Sequence, residues 1–342
     1  MKKRIIKRLS VVYALTRVNI FRFLLLNKKG STNIILVDDF FRDIYYGNVD
    51  ILYNLSYINA FLKLKKDFKI CNSKDVLVKT NKKIYLNLNK KYLNESSNEN
   101  HSKRQVKFIT QLEDNKNIVF PSSREADYWE NKIFMYSKFE EYQINHPKTT
   151  KITNQQDLSK ITNDHLFPVI SKIDNGSGST GIVQVKSDSE LGLLSDFQYP
   201  YLIQNRLNIT RDCRIVILNF QYNNHYFRNN TSINWHPTST SMGSYLSYEE
   251  LPEDIIEKVI EVTKTLNLRV AAYDICWDND DFSSPIIFLE VSPAYLPNPK
   301  YYGTKKYKDW KTYFFSKNPY WKSNVDNIFS QKLDLLRDIL IK

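Results

Sequence analysis

The stretch from Val169 to Ile182, VISKIDNGSGSTGI, decides how the chain is interpreted. It holds three of the eight glycines in the chain, Gly176, Gly178 and Gly181, within six residues. An apolar run that ends in Lys172 precedes them and an alternating apolar run follows, which predicts two strands joined by a loop. Because glycine has no Cβ, backbone N–H groups in such a loop can approach phosphate oxygens closely. The same string is also typical of a flexible hairpin tip, so the loop alone leaves both interpretations open.

The loop also carries hydroxyl and amine donors. Ser177, Ser179 and Thr180 contribute hydroxyl groups, and Lys172 contributes a positive charge on the entering strand. The loop lacks the GK[ST] ending and the following helix of a P-loop, and its glycine spacing differs from that of the dinucleotide-binding fingerprint. If this loop binds phosphate, it does so as neither of those motifs.

The charge of the chain favours an anionic partner. Its 342 residues are enough for about two domains. They carry 49 Lys and Arg against 37 Asp and Glu, a net charge of +12. Nucleotides, acidic substrates, nucleic acids and membrane surfaces all fit this charge. Nucleic acid is not expected, because the basic residues are scattered and the sequence has no zinc spacing, RNP motif or basic-helix array.

The cysteines predict a reducing compartment. Cys71, Cys213 and Cys276 are odd in number, far apart and set in apolar surroundings. We therefore expect buried, reduced side chains and a cytoplasmic protein. No apolar run approaches the length of a membrane span.

The first 30 residues are basic and contain no acidic residue. Arg17 and Arg22 interrupt the apolar centre that a secretory signal needs. Two interpretations remain: a helix that lies on an anionic membrane surface, and a helix that packs on its own domain, which we favour. The apolar residues that would line one face of this helix are Ile5, Ile6, Leu9, Val12, Tyr13 and Leu24.

An α/β pattern follows. The predicted elements are a strand at 33–39, a helix at 49–66, and strands at 68–71, 75–79 and 83–88. Residues 93–107 are polar and unpatterned, which predicts a surface loop. Ser122 and Glu125 have the spacing of a capping box, at the start of a helix that extends to about Tyr142. We place the first domain boundary near residue 120.

Two carboxylates face each other in a predicted hairpin. Strands at 271–277 and 286–291 flank a turn, which puts Asp274 almost directly opposite Glu290, with Ser292 on the same face. Facing carboxylates repel unless a cation or a shared proton intervenes, and oxygen ligands suit Mg²⁺. The alternative is that one of the two pairs with a lysine or an arginine. For a pair in register after a glycine loop, we favour the metal.

Other polar residues precede this hairpin. On a predicted strand at 212–219, Asp212 and Arg214 share one face and apolar residues occupy the other. Trp235 and His236 lie in a stretch rich in Ser, Thr and Asn. That stretch fits the lining of an acceptor site and an ordinary surface loop equally well.

In this order, the motifs resemble the ATP-grasp superfamily, most closely its branch of ribosomal-protein glutamate ligases and glutathione synthetases. The resemblance covers roughly residues 108–299. Lys132 matches the first nucleotide lysine of the superfamily and Lys172 matches the second. The residues at 146–149, HPKT, match a short motif between them, and Asp212 begins a match to the D-I-R motif.

The resemblance implies an α/β (α+β) fold, with a Rossmann-like pre-ATP-grasp domain followed by two α+β subdomains that clasp the nucleotide. The implied segments are a basic N-terminal helix (1–30), the pre-ATP-grasp domain (31–120), the small subdomain with the glycine-rich loop (121–205), and the C-terminal subdomain with the metal site and a basic aromatic tail (206–342).

The resemblance also implies residue roles. Arg214 and Arg228 would act on the transferred phosphate, and one or two Mg²⁺ ions would bind Asp274, Glu290 and Ser292. The residues at 202–205, LIQN, match the hinge whose backbone contacts adenine. Asn205 stands where the superfamily usually has Glu, so the resemblance implies a nucleotide contact through its backbone and not through its side chain. Ser292 replaces the usual Asn, so the second ion is expected to be held more weakly or through water. The implied ATP contacts are Lys132, Lys172, Gly176, Ser177, Gly178, Ser179, Thr180, Gly181, Gln204, Asn205 and Asp212.

The activity implied is ATP-dependent ligation of a carboxylate to an amine through an acyl phosphate. The segment 292–299, SPAYLPNP, and the lysine-rich aromatic extension after it resemble ATP-grasp proteins of bacterial surface-polysaccharide loci. This implies joining an amino acid or another amine to a sugar carboxylate. The alternatives are a ligase that modifies an acidic peptide, and a degenerate module that binds a nucleotide or another anion without catalysis. An oligomer and peripheral membrane contact through residues 1–30 are left open.

Overall fold

The chain forms two units, each of which combines helices with β-sheet. The computed structural model describes residues 2–46, 50–88, 101–158, 161–176, 178–194, 198–230, 235–295 and 320–341. Contacts within the chain divide it into a first unit, Met1–Ala126 with Ala294–Lys342, and a second unit, Asp127–Pro293. The site residues discussed below all lie in the second unit.

The helices are α1 (Lys2–Thr16), α2 (Ile20–Leu26), α3 (Phe40–Tyr46), α4 (Asp50–Lys63), α5 (Ser73–Val76), α6 (His101–Asp114), α7 (Ser123–Ala126), α8 (Lys132–Glu141), α9 (Gln155–Leu158), α10 (Ile161–Asp164), α11 (Glu253–Leu266) and α12 (Tyr320–Ile341). The strands are β1 (Asn33–Leu36), β2 (Lys69–Cys71), β3 (Lys83–Tyr85), β4 (Ile118–Phe120), β5 (Thr149–Ile152), β6 (Val169–Ile173), β7 (Ile182–Val185), β8 (Tyr201–Asn205), β9 (Arg211–Leu218), β10 (Gln221–Asn229), β11 (Tyr245–Ser247), β12 (Val270–Cys276) and β13 (Ile287–Ser292).

The first unit is built on a parallel four-stranded sheet with the strand order β2-β1-β3-β4. Every residue of β1 is buried, as a central parallel strand requires. The following helix α4 is buried on nearly all sides, from Ile51 to Leu62. This arrangement agrees with the predicted α/β class.

Two predicted elements of the first unit are wrong. The strand predicted at 75–79 is replaced by the short helix α5, because the Asn72 side chain accepts a hydrogen bond from the backbone N–H of Asp75 (2.8 Å) and starts a helical turn. The loop predicted at 93–107 is helical from His101 onward, in α6, whereas residues 93–100 lie outside the described part of the chain. Helix α6 buries an apolar stripe of Phe108, Ile109 and Leu112, all of which lie beyond the stretch interpreted as loop.

The capping box is confirmed, but the helix after it is interrupted. The backbone N–H of Ser122 donates to the Glu125 carboxylate (2.9 Å), and the backbone N–H of Glu125 donates to the Ser122 hydroxyl (3.3 Å). The predicted single helix to Tyr142 is two helices, α7 and α8. The break follows from Glu130, which has a left-handed φ of 49°, and from Asn131, whose side chain caps α8.

Helix α1 packs on its own unit, which agrees with the interpretation favoured from the sequence. Val11 and Ala14 are buried, and the Tyr13 hydroxyl donates to the Asp326 carboxylate in α12 (2.9 Å). Within the described residues no single helix is long and apolar enough to cross a membrane. One pair, Lys7–Thr16 with Ile20–Leu26, bent by 68°, passes that test only in combination.

The C-terminal helix changes the predicted division of the chain. Helix α12 packs on α1 and α4 and buries Val325, Leu335 and Leu336. Residues 294–342 therefore group with the first unit, whereas the predicted C-terminal subdomain, 206–342, included them. The predicted tail motif at 296–299 and the aromatic extension up to 319 lie outside the described residues.

The second unit contains two antiparallel sheets. One has the order β5-β8-β6-β7, and the other has the order β11-β10-β9-β12-β13. A large apolar cluster covers one face of the five-stranded sheet, where Phe227, Tyr273 and Phe288 pack with side chains of α8 and α11. The opposite face of that sheet is left for polar side chains. All three cysteines are buried and free, as predicted.

Candidate active site

The face of the five-stranded sheet that points away from the apolar cluster carries four buried charges. In β9, Cys213 and its alternate neighbours point into the cluster, so Asp212 and Arg214 point away from it. Strand register places Arg228 of β10 opposite Asp212 and places Asp274 of β12 opposite Arg214. Residues directly opposite each other in an antiparallel pair share a face. The predicted placement of Asp212 and Arg214 on one face is confirmed.

These four side chains form a hydrogen-bonded ion network. Arg214 binds Asp274 through two bonds, from Nε to Oδ1 (2.7 Å) and from Nη2 to Oδ2 (2.8 Å). Arg228 bridges the two acids, since its Nη2 lies 2.7 Å from Asp274 Oδ2 and its Nε donates to Asp212 Oδ1 (2.7 Å). The hydroxyl of Thr238 donates to Asp212 Oδ2 (2.7 Å). Paired, two-point contacts of this kind are the strong form of an ion pair.

The pKa values of Asp212 and Asp274 are shifted in opposite directions, because the two carboxylates have different numbers of cationic partners. Burial by itself raises the pKa of Asp274, but Arg214 and Arg228 outweigh it and hold the pKa below the usual range. Burial raises the pKa of Asp212 above its usual value. The contacts with Arg228 and the Thr238 hydroxyl offset only part of the free-energy cost of burying the charged carboxylate. Asp274 is therefore the firmly ionised member of the network.

The hairpin predicted from the sequence has the expected register. Asp274 pairs with Glu290, and Ala272 pairs with Ser292, so Glu290 and Ser292 lie on the same face as Asp274. A bulge after this pair leaves Leu289 extra on β13, and its carbonyl accepts a hydrogen bond from the Tyr136 hydroxyl (2.5 Å). The structure matches the alternative in which one acid of the pair binds arginine, because both oxygens of Asp274 contact guanidinium groups.

Lys132 connects the start of α8 to the glycine loop. Its side chain is 6% exposed, its Nζ donates to the carbonyl of Gly176, and it lies 4.0 Å from Glu290 Oε1. Asp174, which sequence reasoning missed, accepts a hydrogen bond from the backbone N–H of Ile133 (2.9 Å) and so caps α8 from the start of the loop. The sequence shows that a carboxylate follows Lys172 by two residues. It does not show that this carboxylate caps α8, which lies about 40 residues earlier in the chain.

Lys172 on β6 faces the same group of charges. Burial lowers its pKa, while the negative charges of Glu290 and Asp274 act in the opposite direction. In the part of the chain that the structure describes, no carboxylate lies within 4 Å of its ammonium group. Lys172 is thus a mostly buried cation that no protein anion neutralises directly.

The glycine loop joins β6 and β7, which pair as predicted with Lys172 opposite Ile182. A Cβ at Gly181 would lie 2.5 Å from the Ile173 side chain, and its φ is +69°. A Cβ at Gly176 would lie 2.7 Å from the carbonyl oxygen of Thr180. The fold therefore requires glycine at both positions. Gly178 and Ser179 also have left-handed φ angles, and Ser177 lies outside the described residues.

Gln204 and Asn205, two of the implied ATP contacts at the end of β8, are tied into the small sheet through their side chains. Gln204 is buried and donates to the Thr149 hydroxyl (2.7 Å). His165 donates from Nδ1 to the side-chain oxygen of Asn205 (2.6 Å) and accepts from the Thr150 hydroxyl at Nε2 (2.8 Å). The side-chain oxygen of Asn205 is therefore engaged within the protein, which agrees with an implied nucleotide contact through its backbone and not through its side chain.

Thr238, among the described residues of the polar segment around His236, reaches the ion network. His236 accepts at its carbonyl from the Asn230 amide (2.9 Å), and Thr238 follows with its bond to Asp212. Sequence reasoning singled out Trp235 and His236 but missed Thr238, because one hydroxyl among many carries no distinctive pattern. Residues 231–234 lie outside the described part of the chain.

Comparisons with solved structures identify the fold. The chain superposes on a Chryseobacterium gregarium RiPP-associated ATP-grasp ligase, in complex with ADP and a leader and core peptide, with a TM-score of 0.56 at 13% identity over 90% of this chain and 96% of that one. It superposes on the D-alanine–D-alanine ligase of Bacillus anthracis with a TM-score of 0.51 at 13% identity, over 90% of this chain and 100% of that one. It also superposes on the ATP-grasp ligase PsnB, in complex with a phosphomimetic variant of minimal precursor, Mg and ADP. The TM-score is 0.53 at 11% identity, over 88% of this chain and 99% of that one.

No protein-family model matches the sequence, and a search of curated proteins gives no match. The structural likeness nevertheless extends over most of both chains in each comparison. The chain has the ATP-grasp fold, and the fold that the sequence resemblance implies is confirmed.

The different surroundings of Asp274 and Glu290 lead to a prediction about stability. Asp274→Asn leaves the guanidinium group of Arg214 without its anion and removes one of the two carboxylates that Arg228 contacts, so we expect a loss of about 3 kcal/mol in the free energy of unfolding. Glu290 is 36% exposed and its lysine contact is 4.0 Å long, so Glu290→Gln is expected to cost under about 1 kcal/mol. Urea unfolding followed by circular dichroism measures both. Equal costs for the two variants would contradict the described network.

Proposed function

We propose that the chain is an ATP-dependent ligase that joins a carboxylate to an amine through an acyl phosphate. The observation that carries this proposal is Lys172, a mostly buried cation without a direct anionic partner, beside the charged face of the five-stranded sheet. Keeping such a charge away from water is costly unless an anion is bound. A phosphate group covered by the glycine loop would supply that anion.

The balance of charge supports a polyphosphate ligand. Four cations and three carboxylates leave one positive charge in the site. A nucleotide polyphosphate with its divalent cation has a net negative charge and would complement it. The residues in this count are Lys132, Lys172, Arg214, Arg228, Asp212, Asp274 and Glu290.

The proposed reaction needs no nucleophilic side chain. The γ-phosphoryl group of ATP moves to a substrate carboxylate oxygen, which releases ADP and gives an acyl phosphate. An amine then attacks the acyl carbon, loses a proton, and displaces inorganic phosphate to leave an amide. Lys132 and Lys172 would hold the phosphates, and Arg214 and Arg228 would neutralise charge on the transferred group. The glycine loop would exclude water from the acyl phosphate.

The described residues fit a magnesium ion that arrives with the nucleotide. Mg²⁺ commonly uses one or two carboxylates together with substrate phosphates and water. Glu290 can supply one, whereas Asp274 would have to exchange part of its contact with Arg214 and Arg228 to supply a second. No group of three acidic, histidine or cysteine side chains suited to a metal is found within the described ranges, which argues against an ion held by the protein alone. When bound, the ion would neutralise phosphate charge. Ser292 remains our proposal for a weaker third ligand.

Two substrate classes remain in the proposal. The resemblance of the tail to proteins of surface-polysaccharide loci favours a sugar carboxylate with an amino acid or another amine. The net charge of +12 and the leader and core peptide bound by one compared ligase favour an acidic peptide. A third interpretation is a degenerate module that binds a nucleotide or another anion without catalysis. It is suggested by Asn205 and Ser292, which depart from the residues usual in the superfamily.

Phosphate release from ATP tests the ligase proposal. We expect Mg²⁺-dependent phosphate release that requires both an acid and an amine, when uronic acids and acidic peptides are screened against amino acids. Glu290→Gln, which is expected to keep the fold, should abolish it. Nucleotide binding without turnover for any mixture would favour the degenerate module instead.

The lowered pKa of Lys172 predicts a pH dependence for ADP binding. A lysine is charged below its pKa, and bound phosphate favours that form. Affinity should therefore be highest below the lowered pKa of Lys172 and decline as the pH rises through that pKa. The terminal phosphate of ADP loses its last proton at about pH 6, so its ionisation strengthens binding as the pH rises and does not produce an alkaline decline. Isothermal titration across this range measures the effect.

The matched control for this measurement is Lys172→Arg, which keeps its charge over the whole range. We expect this variant to bind ADP without the alkaline decline, and Lys172→Met to bind at least about tenfold more weakly at pH 7. If the ADP affinity of Lys172→Arg declined at alkaline pH as it does in the unmodified chain, the titrating group would be a residue other than Lys172.

A further inference from the structure

Helix α2 presents an apolar face that the first unit does not cover. Ile20, Phe21, Leu24 and Leu25 are 58%, 76%, 69% and 70% exposed. Phe21, Leu24 and Leu25 follow Ile20 by one, four and five residues, which places all four side chains on one side of the helix. Large apolar side chains that cluster in this way on an exposed surface mark an interaction site.

The helix is fixed in place by its other side. The ring of Phe23 packs against Phe68 with centroids 5.9 Å apart. The backbone N–H of Phe68 donates to Leu26 O (2.9 Å), and that of Lys28 donates to Phe68 O (2.8 Å). Asn19 caps the first turn by accepting from the N–H of Arg22 (3.0 Å). The exposed face therefore belongs to an anchored element, with its inward apolar residues already used.

Positive charge surrounds this face. Residues 1–30 contain nine Lys and Arg and no Asp or Glu. Arg22 lies within α2, and Lys28 and Lys29 follow its end, all with exposed side chains. An apolar helix face bordered by basic residues is the combination by which peripheral proteins bind anionic lipid surfaces, with the apolar side chains at the level of the headgroups.

We propose that α2 and its basic flanks dock the chain on an anionic membrane surface. A second copy of the chain is a poorer occupant, because a stable protein interface takes roughly 20 to 30 residues from each partner, whereas α2 has seven. At 1.5 Å per residue, seven residues are about 10 Å long, so α2 lies on the lipid surface and does not cross the bilayer. This docking is independent of the proposed ligase activity.

Vesicle sedimentation of the full chain tests the proposal. We expect binding to vesicles of equal parts phosphatidylglycerol and phosphatidylcholine, weaker binding at high salt, and at least about tenfold weaker binding to phosphatidylcholine alone. Phe21→Ser combined with Leu25→Ser should reduce binding to the anionic vesicles at least about tenfold, because two apolar anchors are lost.

The matched control removes equally exposed apolar side chains elsewhere. Val78→Ser combined with Leu166→Ser, at positions 76% and 85% exposed, should bind like the unmodified chain. Thermal unfolding checks that both double variants keep the fold. The proposal is overturned if the unmodified chain does not sediment with anionic vesicles, or if the Phe21 and Leu25 double variant binds equally well. A dimer in sedimentation velocity that this variant abolishes, without vesicle binding, would assign the face to a second copy.

Discussion

The second unit depends on a buried network of two arginines and two aspartates on one face of a sheet. Removing charges from water costs several kcal/mol per ion, and only close, well-directed pairing offsets that cost. Strand register supplies the pairing, because Arg214 lies opposite Asp274, and Arg228 lies opposite Asp212. A slip of one residue in β9 would turn Arg214 into the apolar cluster. The alternation that builds the core therefore also fixes the charged face.

The arginines and the lysines of this site are satisfied in different ways. Arg214 and Arg228 are neutralised by carboxylates within the protein. Lys132 holds the carbonyl of Gly176, and Lys172 has no direct carboxylate partner in the described residues. An incoming polyphosphate would compete with protein anions for the arginines but not for Lys172. In this account Lys172 provides the binding charge, and the arginine network provides a rigid, preorganised surface beside it.

Much of this arrangement could be predicted from the sequence, because it follows from short-range patterns. The glycine loop and the hairpin that pairs Asp274 with Glu290 combine period-two alternation with turn residues, and both have the predicted register. The partners of Asp274 could not be predicted, since they come from two other strands whose neighbours no local pattern specifies. The cap that Asp174 places on α8 was missed for the same reason. The break before α8 depends on one left-handed backbone angle at Glu130.

The most direct test of the account is a crystal structure of the chain with a non-hydrolysable ATP analogue and Mg²⁺. We expect the phosphates to lie between the glycine loop and the charged face of the five-stranded sheet, with a phosphate oxygen in hydrogen-bond contact with Lys172 Nζ and the ion on Glu290. Phosphates bound elsewhere, with Lys172 still unpaired, would contradict it. So would the absence of the nucleotide from crystals soaked at saturating concentration.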